Sequence, residues 1–432
     1  MKFFIMKNDI VRCRCIDMSV DGMGIARAND LVVFVKGMIK DEEADVKIIA
    51  EKKNYSIGII EKMISASPYR IHPDCPIAYK CGGCDYRHVQ YEYQLELKKE
   101  VLENTLRGYE VGEIIAADDP FYYRNKVQIP CRDHKMGFYR RFSNDIVEFD
   151  DCLIESKTAN GIIADLKVLL SDHKDSRMIR HIIIKHAQGT DEVMLGFAVN
   201  SFDVDLHEIV GSVCHKYPQI QSVILNLNDK KTNVILGSEE KVLYGRDHIY
   251  DVYDGIRVKL SLKSFYQVNY RQMLKLYGKI DELAKAKDDS KILDLYCGIG
   301  TISLYLARHA GHVTGVEIVK EAIRDARENA SMNQLNNTDF ILADASKGMD
   351  PYLEDKDIVI VDPPRKGLSK ELIASLCGSD VERIVYVSCN PATLARDLEL
   401  LKEDFEIGTV YPVDMFPYTV HLECVTALQR KS

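Results

Sequence analysis

From residue 291 onward the chain repeats one unit: a short apolar run, a turn rich in glycine, proline or acid, and an amphipathic stretch. Apolar runs begin at Lys291, Gly311, Phe340, Asp357 and Arg383. Near-continuous apolar strands alternating with helical patterns specify a parallel sheet covered on both faces, because parallel neighbours need a long crossover between them. Ligands of such sheets bind beyond the carboxyl ends of the strands. The residues that close each run are therefore where chemistry is expected.

The first run closes in Asp294-Leu-Tyr-Cys-Gly298-Ile-Gly300-Thr-Ile-Ser303. A dinucleotide loop would carry a third glycine where Ser303 stands, and Asp294 would repel a diphosphate. The same acid suits the sulfonium and ammonium of S-adenosylmethionine, and Gly298 lets a ligand lie close to the backbone. Glu317 closes the second run and is placed to accept both hydroxyls of a ribose. Asp344 closes the third, where an adenine amino group could be held. The fourth ends in Asp362-Pro-Pro-Arg-Lys-Gly367, a turn stiffened by two prolines. Arg365 stands where enzymes that methylate exocyclic amines typically carry a stacking aromatic.

Residues 383–388 read as a buried strand that ends at Cys389, and Pro391 suits the first turn of the next helix. Cys389 is the expected nucleophile; the alternative is a small buried hydrophobe. Residues 411–415 and 421–428 read as closing strands. Glu423 lies among apolar neighbours there, so it needs a partner or a role.

At 432 residues the chain is too long for one core. Residues 1–64 hold four or five short strands and read as a small OB-type barrel, with Cys13 and Cys15 structural. Cys75-Pro-Ile-Ala-Tyr-Lys-Cys81-Gly-Gly-Cys84 is a metal-binding pattern with three thiolates. His88, Cys131 and Cys152 are the candidates for a fourth ligand, and an iron–sulfur cluster is favoured over zinc. Residues 92–106 form a helix with an apolar side and a side of lysines and glutamates.

Residues 121–142 carry Arg124, Lys126, Arg132, Lys135, Arg140 and Arg141 against the single acid Asp133, with Phe121, Tyr122, Tyr123, Phe138, Tyr139 and Phe142 interleaved. Cations hold phosphates and aromatic faces stack unpaired bases, so RNA contact is expected there despite a net charge of −9. Arg177, Arg180 and Lys185 form a second basic cluster. Phe265-Tyr-Gln267-Val-Asn269 precedes a helix from Tyr270; its amides are ligand contacts or caps. The Phe3-Phe4-Ile5-Met6 cluster is too short for a signal-peptide core and no apolar run approaches a bilayer span, so a cytoplasmic protein is expected.

Taken together, Cys75…Cys81-Gly-Gly-Cys84, Tyr123-Arg-Asn-Lys126, Phe265-Tyr-Gln-Val-Asn269, Leu293 to Gly300, Asp362-Pro-Pro-Arg-Lys-Gly367, Ser388-Cys-Asn-Pro391 and Phe416 to Glu423 resemble the RNA (uracil-5-)-methyltransferases that carry a TRAM domain and a [4Fe–4S] cluster. The resemblance runs over nearly the whole chain. It implies an α/β protein with a Rossmann-like S-adenosylmethionine-dependent methyltransferase domain, an N-terminal OB-like β-barrel (TRAM) and an α+β central domain. The implied units are 1–64, then 65–91 with 120–258, then 92–119 with 259–432. It makes Cys152 the fourth cluster ligand beside Cys75, Cys81 and Cys84, with Cys131 a spectator. It makes Gln267, Tyr296, Gly298, Glu317, Asp344 and Asp362 cofactor contacts, Cys389 the nucleophile and Glu423 the base. Arg124, Lys126, Arg140, Arg141 and Phe265 become the expected RNA contacts. Members often carry histidine where this chain has Tyr418. The implied substrate is 23S ribosomal RNA, with transfer RNA as the rival and a non-catalytic RNA-binding assembly factor as the reading from another class. A monomer that binds neither DNA nor membrane is expected.

Overall fold

The computed structural model describes residues 6–28, 31–141, 143–230 and 232–432. Phe3, Phe4 and Ile5 of the apolar N-terminal cluster, and Phe142 of the basic stretch, lie outside the described residues.

Strands Ile10–Met18, Gly24–Ala28, Leu31–Lys36, Glu43–Glu51 and Tyr55–Ser65 close into a barrel. Period-two alternation makes it: Ala44, Val46 and Ile48 point inward and are buried, while the charged residues between them face out. Cys13 and Cys15 are part of this core.

The middle of the chain folds around a seven-stranded sheet in the order Glu239–Gly245, Ile220–Leu227, Glu192–Val199, Ile179–Ala187, Lys126–Arg132, Lys135–Tyr139 and Ile146–Glu148. Helices Lys157–Leu170 and His207–Lys216 share an apolar cluster with its strands, through Ile162, Leu166, Val210 and Val213 against Ile182, Ile184 and Leu195.

The last third is the doubly wound sheet. Its strands lie in the order Thr338–Leu342, His312–Glu317, Lys291–Leu295, Ile358–Val361, Arg383–Ser388, Glu423–Arg430 and Phe405–Ile407, with Tyr411–Val413 paired to Glu423–Arg430 off that path. The first five run parallel, and Glu423–Arg430 is inserted antiparallel between its neighbours. Both faces are covered. Val385 and Val387 join one core with Leu276 and Ile280 of helix Tyr270–Ala284. Ile384 and Tyr386 join the other with Leu376 and Leu398 from helices Lys370–Gly378 and Pro391–Leu401. Each such fully buried side chain contributes roughly 1.5–3 kcal/mol.

Helix Tyr91–Thr105 bridges the barrel and this sheet. Its Tyr93 and Leu97 belong to the barrel core, and Leu102 belongs to the sheet core. One residue of its lysine and glutamate side departs from expectation: Lys98 is only 3% exposed. Its charge is met inside the protein by Asp414, 2.6 Å away.

Asn329 of helix Lys320–Met332 is fully buried and links three segments. Its carbonyl accepts from the Lys259 amide at 2.7 Å and its amide donates to the Ile299 carbonyl at 3.1 Å. Asn329→Ala leaves two buried backbone groups unpaired and should lower stability by about 3 kcal/mol, read as a lower melting temperature by calorimetry.

Candidate active site

The carboxyl ends of the central strands gather a set of acids. Asp294 is fully buried and takes a 2.5 Å hydrogen bond from the Ser303 hydroxyl, while its Oδ1 has no partner. Burial, and then the negative charge of Asp362 and Glu317, push Asp294 up to about 7. Burial alone raises Asp362 to about 7. A buried carboxylate raised by the charge of two others calls for a cation among them. Glu317 accepts from the Gly298 amide at 3.2 Å and from the Ile318 and Val319 amides at 2.8 and 2.9 Å. Those bonds fix the carboxylate at the strand end, facing the glycine loop.

That loop is shaped by left-handed backbone. Gly298 and Gly300 have φ of 55° and 84°, and a side chain on Gly298 would meet nothing within 4 Å, so its face is open. Tyr296 has φ of 65°, and its buried hydroxyl has no partner. Burial moves that phenol up to about 12, with the Asp344 charge as the next cause. Asp344 accepts from the Ser346 hydroxyl at 2.6 Å and amide at 3.0 Å, and the hydroxyl holds its carboxyl below the ordinary range. Two orphaned buried polar atoms, an open glycine face and a cation-seeking group of acids fit a ligand with hydroxyls, an amine and a positive centre.

Cys389 and Glu423 come together through strand register. Ser388 pairs with Cys424 across the antiparallel ladder, so Cys389 and Glu423 sit at the same end of adjacent strands. Cys389 is half-buried and Glu423 is buried. Burial pushes the Cys389 thiol up to about 11, with Glu423 and Asp362 adding to the shift and Arg365 opposing it. Burial, then Asp362, drive Glu423 well above the usual carboxylate range, again against Arg365. Asn390 caps helix Pro391–Leu401 by accepting from the Ala392 amide at 3.1 Å, and its amide donates to the Arg365 carbonyl at 2.9 Å. The cysteine loop is thereby tied to the Pro-Pro loop. A cavity of about 210 Å³ opens beside Cys389, walled by Arg365, Asn390, His421 and residues 19–21 of the barrel.

Gln267 is buried in the loop that enters helix Tyr270–Ala284. Its backbone carbonyl accepts from the Asn125 amide at 2.9 Å, which joins the loop to the middle sheet. Tyr277, further along that helix, lies within electrostatic reach of Asp362 and Asp294. Asn269 is a helix cap, accepting from the Gln272 amide at 3.3 Å. Phe265, at 67% exposure, presents its ring to solvent.

Cys75, Cys81, Cys84 and Cys152 line one cavity of about 360 Å³ together with Arg87, Arg124, Lys126 and Glu155. Of the candidates for fourth ligand, Cys152 alone reaches it. His88 is buried beside an adjoining cavity that Cys81 and Cys84 also line, and Cys131 packs at a third. Among the described residues no group of three or more His, Cys, Asp and Glu is drawn tightly enough to hold a metal ion. The four thiols therefore surround a space without closing on a point.

The basic stretch is partly inward. Arg124 lies 3.5 Å from buried Glu155, and Lys126 faces the same cavity. Arg141 pairs with Asp85 and donates to the Cys84 carbonyl at 2.8 Å. Arg140 is exposed. The second basic cluster is not a surface patch. Lys185 is 4% exposed and donates to the Ser261 and Ser264 carbonyls, and Arg180 donates to the Asn228 and Lys230 carbonyls. Arg177 donates to His134.

Sequence reasoning did not assign a role to Arg365 or to Lys98. Arg365 is the cation that faces Cys389 and Glu423. Its signal was a lone arginine in a loop that otherwise converges on acids.

A sequence model of the family described as tRNA (Uracil-5-)-methyltransferase matches residues 90–431. An uncharacterized RNA methyltransferase of Bacillus cereus is 37% identical over 449 residues, covering 99% of this chain and 98% of that protein. Another, from Staphylococcus aureus, is 38% identical over 455 residues and covers 99% of each. The crystal structure of the Pyrococcus abyssi tRNA (uracil-54, C5)-methyltransferase in complex with S-adenosyl-L-homocysteine superposes with a TM-score of 0.80 at 29% identity, over 97% of this chain and 100% of that one.

A thiol that ionises near pH 11 reacts slowly at neutral pH, because the thiolate is the nucleophile. In the free protein, alkylation of Cys389 by iodoacetamide should rise about tenfold per pH unit between pH 7 and 10, followed by mass mapping of the labelled peptide. Arg365→Ala should displace that profile to higher pH.

Proposed function

We propose that this chain, which belongs to the tRNA (uracil-5-)-methyltransferase family, transfers a methyl group from S-adenosylmethionine to C5 of a uracil in RNA. The observation that carries the reading is the meeting of Cys389, Glu423, Asp362 and Arg365 at one end of the sheet's interior strands, beside a cavity and next to the acid-lined loop. The donor, when bound, supplies an electrophilic methyl group on a sulfonium. Asp294, Glu317, Asp344 and Asp362, with Gln267, Tyr296 and Gly298, are the residues assigned to hold it.

C5 of uracil is a weak nucleophile. The Cys389 thiolate adds to C6, and the ring becomes an enolate with carbanion character at C5. That carbon takes the methyl group. Glu423 then removes the proton from C5, the electron pair reforms the C5–C6 double bond, and the thiolate leaves C6. A base held within reach contributes about 10²–10⁴-fold. Burial makes Glu423 a stronger proton acceptor once it is ionised, and Arg365 favours that ionised form against burial and Asp362. Arg365 opposes the burial of both charges and favours the thiolate. The base must leave its stack to reach Cys389, at a cost of about a few kcal/mol.

The barrel reads as a TRAM module and, with the exposed Phe265 ring and Arg140, as the RNA-facing side. Arg141, Arg124 and Lys126 serve RNA more indirectly, through the cysteine loop they support. The residues around the cysteine cavity fit a [4Fe–4S] cluster better than a single zinc ion: four thiols face a space with volume, and the buried Glu155 Oε2 there has no hydrogen-bond partner. Cys75, Cys81, Cys84 and Cys152 would hold it, as a cross-link between segments remote in sequence. The methylated RNA is read as 23S ribosomal RNA. Transfer RNA is the second reading, favoured by the end-to-end likeness to the Pyrococcus abyssi enzyme.

Cys389→Ala should abolish methylation while S-adenosylmethionine still binds, by calorimetric titration; retained turnover would remove Cys389 as nucleophile. Glu423→Gln should trap a covalent RNA adduct, seen as a gel shift. Mapping 5-methyluridine in ribosomal and transfer RNA from a deletion strain decides between the two substrates. Anaerobically purified protein should be brown and carry about four iron and four sulfide per chain, whereas a colourless or zinc-containing sample would refute the cluster.

A further inference from the structure

The segment 414–421 leads directly into Glu423, and one side chain ties both ends of it. The Lys98 amine donates to Asp414 Oδ1 at 2.6 Å, to the Phe416 carbonyl at 3.2 Å and to the His421 carbonyl at 3.4 Å. An ammonium has three N–H donors, and all three are spent on this segment. Both members of the pair are buried, at 1% and 0% side-chain exposure. The other Asp414 oxygen accepts from the Tyr91 hydroxyl at 2.7 Å, and Gln272 donates to the Asp414 carbonyl at 3.2 Å. Between the pinned ends, the Asp85 and Tyr86 amides donate to the Tyr418 carbonyl at 2.9 and 3.0 Å. The Lys98 stem also walls the cavity that contains Cys389.

A buried ion pair is a weak source of net stability but a strong source of position. Nothing about the sheet alone requires the segment before Glu423 to be pinned. The strand it enters is paired with Val413 at Glu423 and with Ser388 at Cys424. What the pair adds is a fixed path for residues 416–421, and hence a fixed entry to the carboxylate.

We propose that Lys98 is a positioning residue for removal of the C5 proton: by closing the 414–421 segment it holds the Glu423 carboxylate against C5 of the methylated uracil. This rests on the reading of Glu423 as the base. The Cys389–C6 bond and the methyl transfer do not need that carboxylate, whereas departure of the C5 proton and release of the thiolate do. A displacement of about 1 Å at such a group costs on the order of 10²-fold. Loss of Lys98 should therefore slow the second half of the reaction and leave the first half standing.

The test is single-turnover reaction of the full chain with a transcript labelled with tritium at uridine C5. The transcript is 23S ribosomal RNA or transfer RNA, whichever the wild-type protein methylates. Methyl incorporation and tritium release to water are followed together. In wild-type protein they keep step. In Glu423→Gln, methyl enters, tritium stays and the covalent complex persists; tritium released at the wild-type rate would overturn the base assignment itself. In Lys98→Met, tritium release should fall roughly 10²-fold behind methyl incorporation, with accumulation of the covalent complex. Lys98→Met with Asp414→Asn, which leaves no unpaired buried charge, should show the same split. With Glu423→Gln behaving as expected, equal slowing of both signals, no slowing, or failure of both Lys98 variants to fold would each reduce the pair to a structural role and overturn the proposal.

Discussion

The site depends on a single register. Glu423–Arg430 enters the sheet antiparallel, beside the last parallel strand, with Cys424 opposite Ser388. Because side chains alternate between faces, a slip of one residue would carry Glu423 to the other face and leave Cys389 without its neighbour. The register is held from both cores: Val385, Val387 and Val425 pack on one face, and Ile384, Tyr386 and Cys424 on the other. The chemistry at the strand ends is thus positioned by apolar packing along the whole length of two strands.

Charge is the second theme. Three carboxylates and a thiol crowd one end of the sheet, and Arg365 opposes the shifts of two of these groups, Cys389 and Glu423. Burial is the leading cause of every one of these shifts, so the protein spends stability to keep the groups dry. The return is a site poised for a positively charged partner. The ion pair of Lys98 and Asp414 is the opposite arrangement: two charges matched to each other, all three ammonium donors used and both carboxylate oxygens engaged.

Much of this was legible from residue order. Runs of apolar residues ending in glycine, acid or cysteine announce parallel strands, and Asn390-Pro391 announces the helix that follows Cys389. Period-two alternation announced the barrel. The pairing of Cys389 with Glu423 came only from the family resemblance, since nothing local says that a distant strand will insert antiparallel at that place. The fate of individual cations was not legible. Lys98, Lys185 and Arg180 look like surface charges in sequence, yet each is satisfied by carbonyls or carboxylates brought from far along the chain. Cys152 could not be chosen over Cys131 by spacing; only the fold puts Cys152 at the cavity shared with the other three cysteines and Cys131 beside another.

Helix Tyr91–Thr105 touches the barrel on one side and the methyltransferase-type sheet on the other, and its Lys98 grips a segment 316 positions away. During synthesis the helix and its lysine emerge long before that segment exists. A charged amine destined for a dry interior must wait in water, or with a chaperone, until residues 414–423 have been made. Contacts of such sequence separation are slow to form. The barrel can fold early, but the pocket beside Cys389 becomes complete only at the end of translation, so the chain is born without its chemistry and acquires it last.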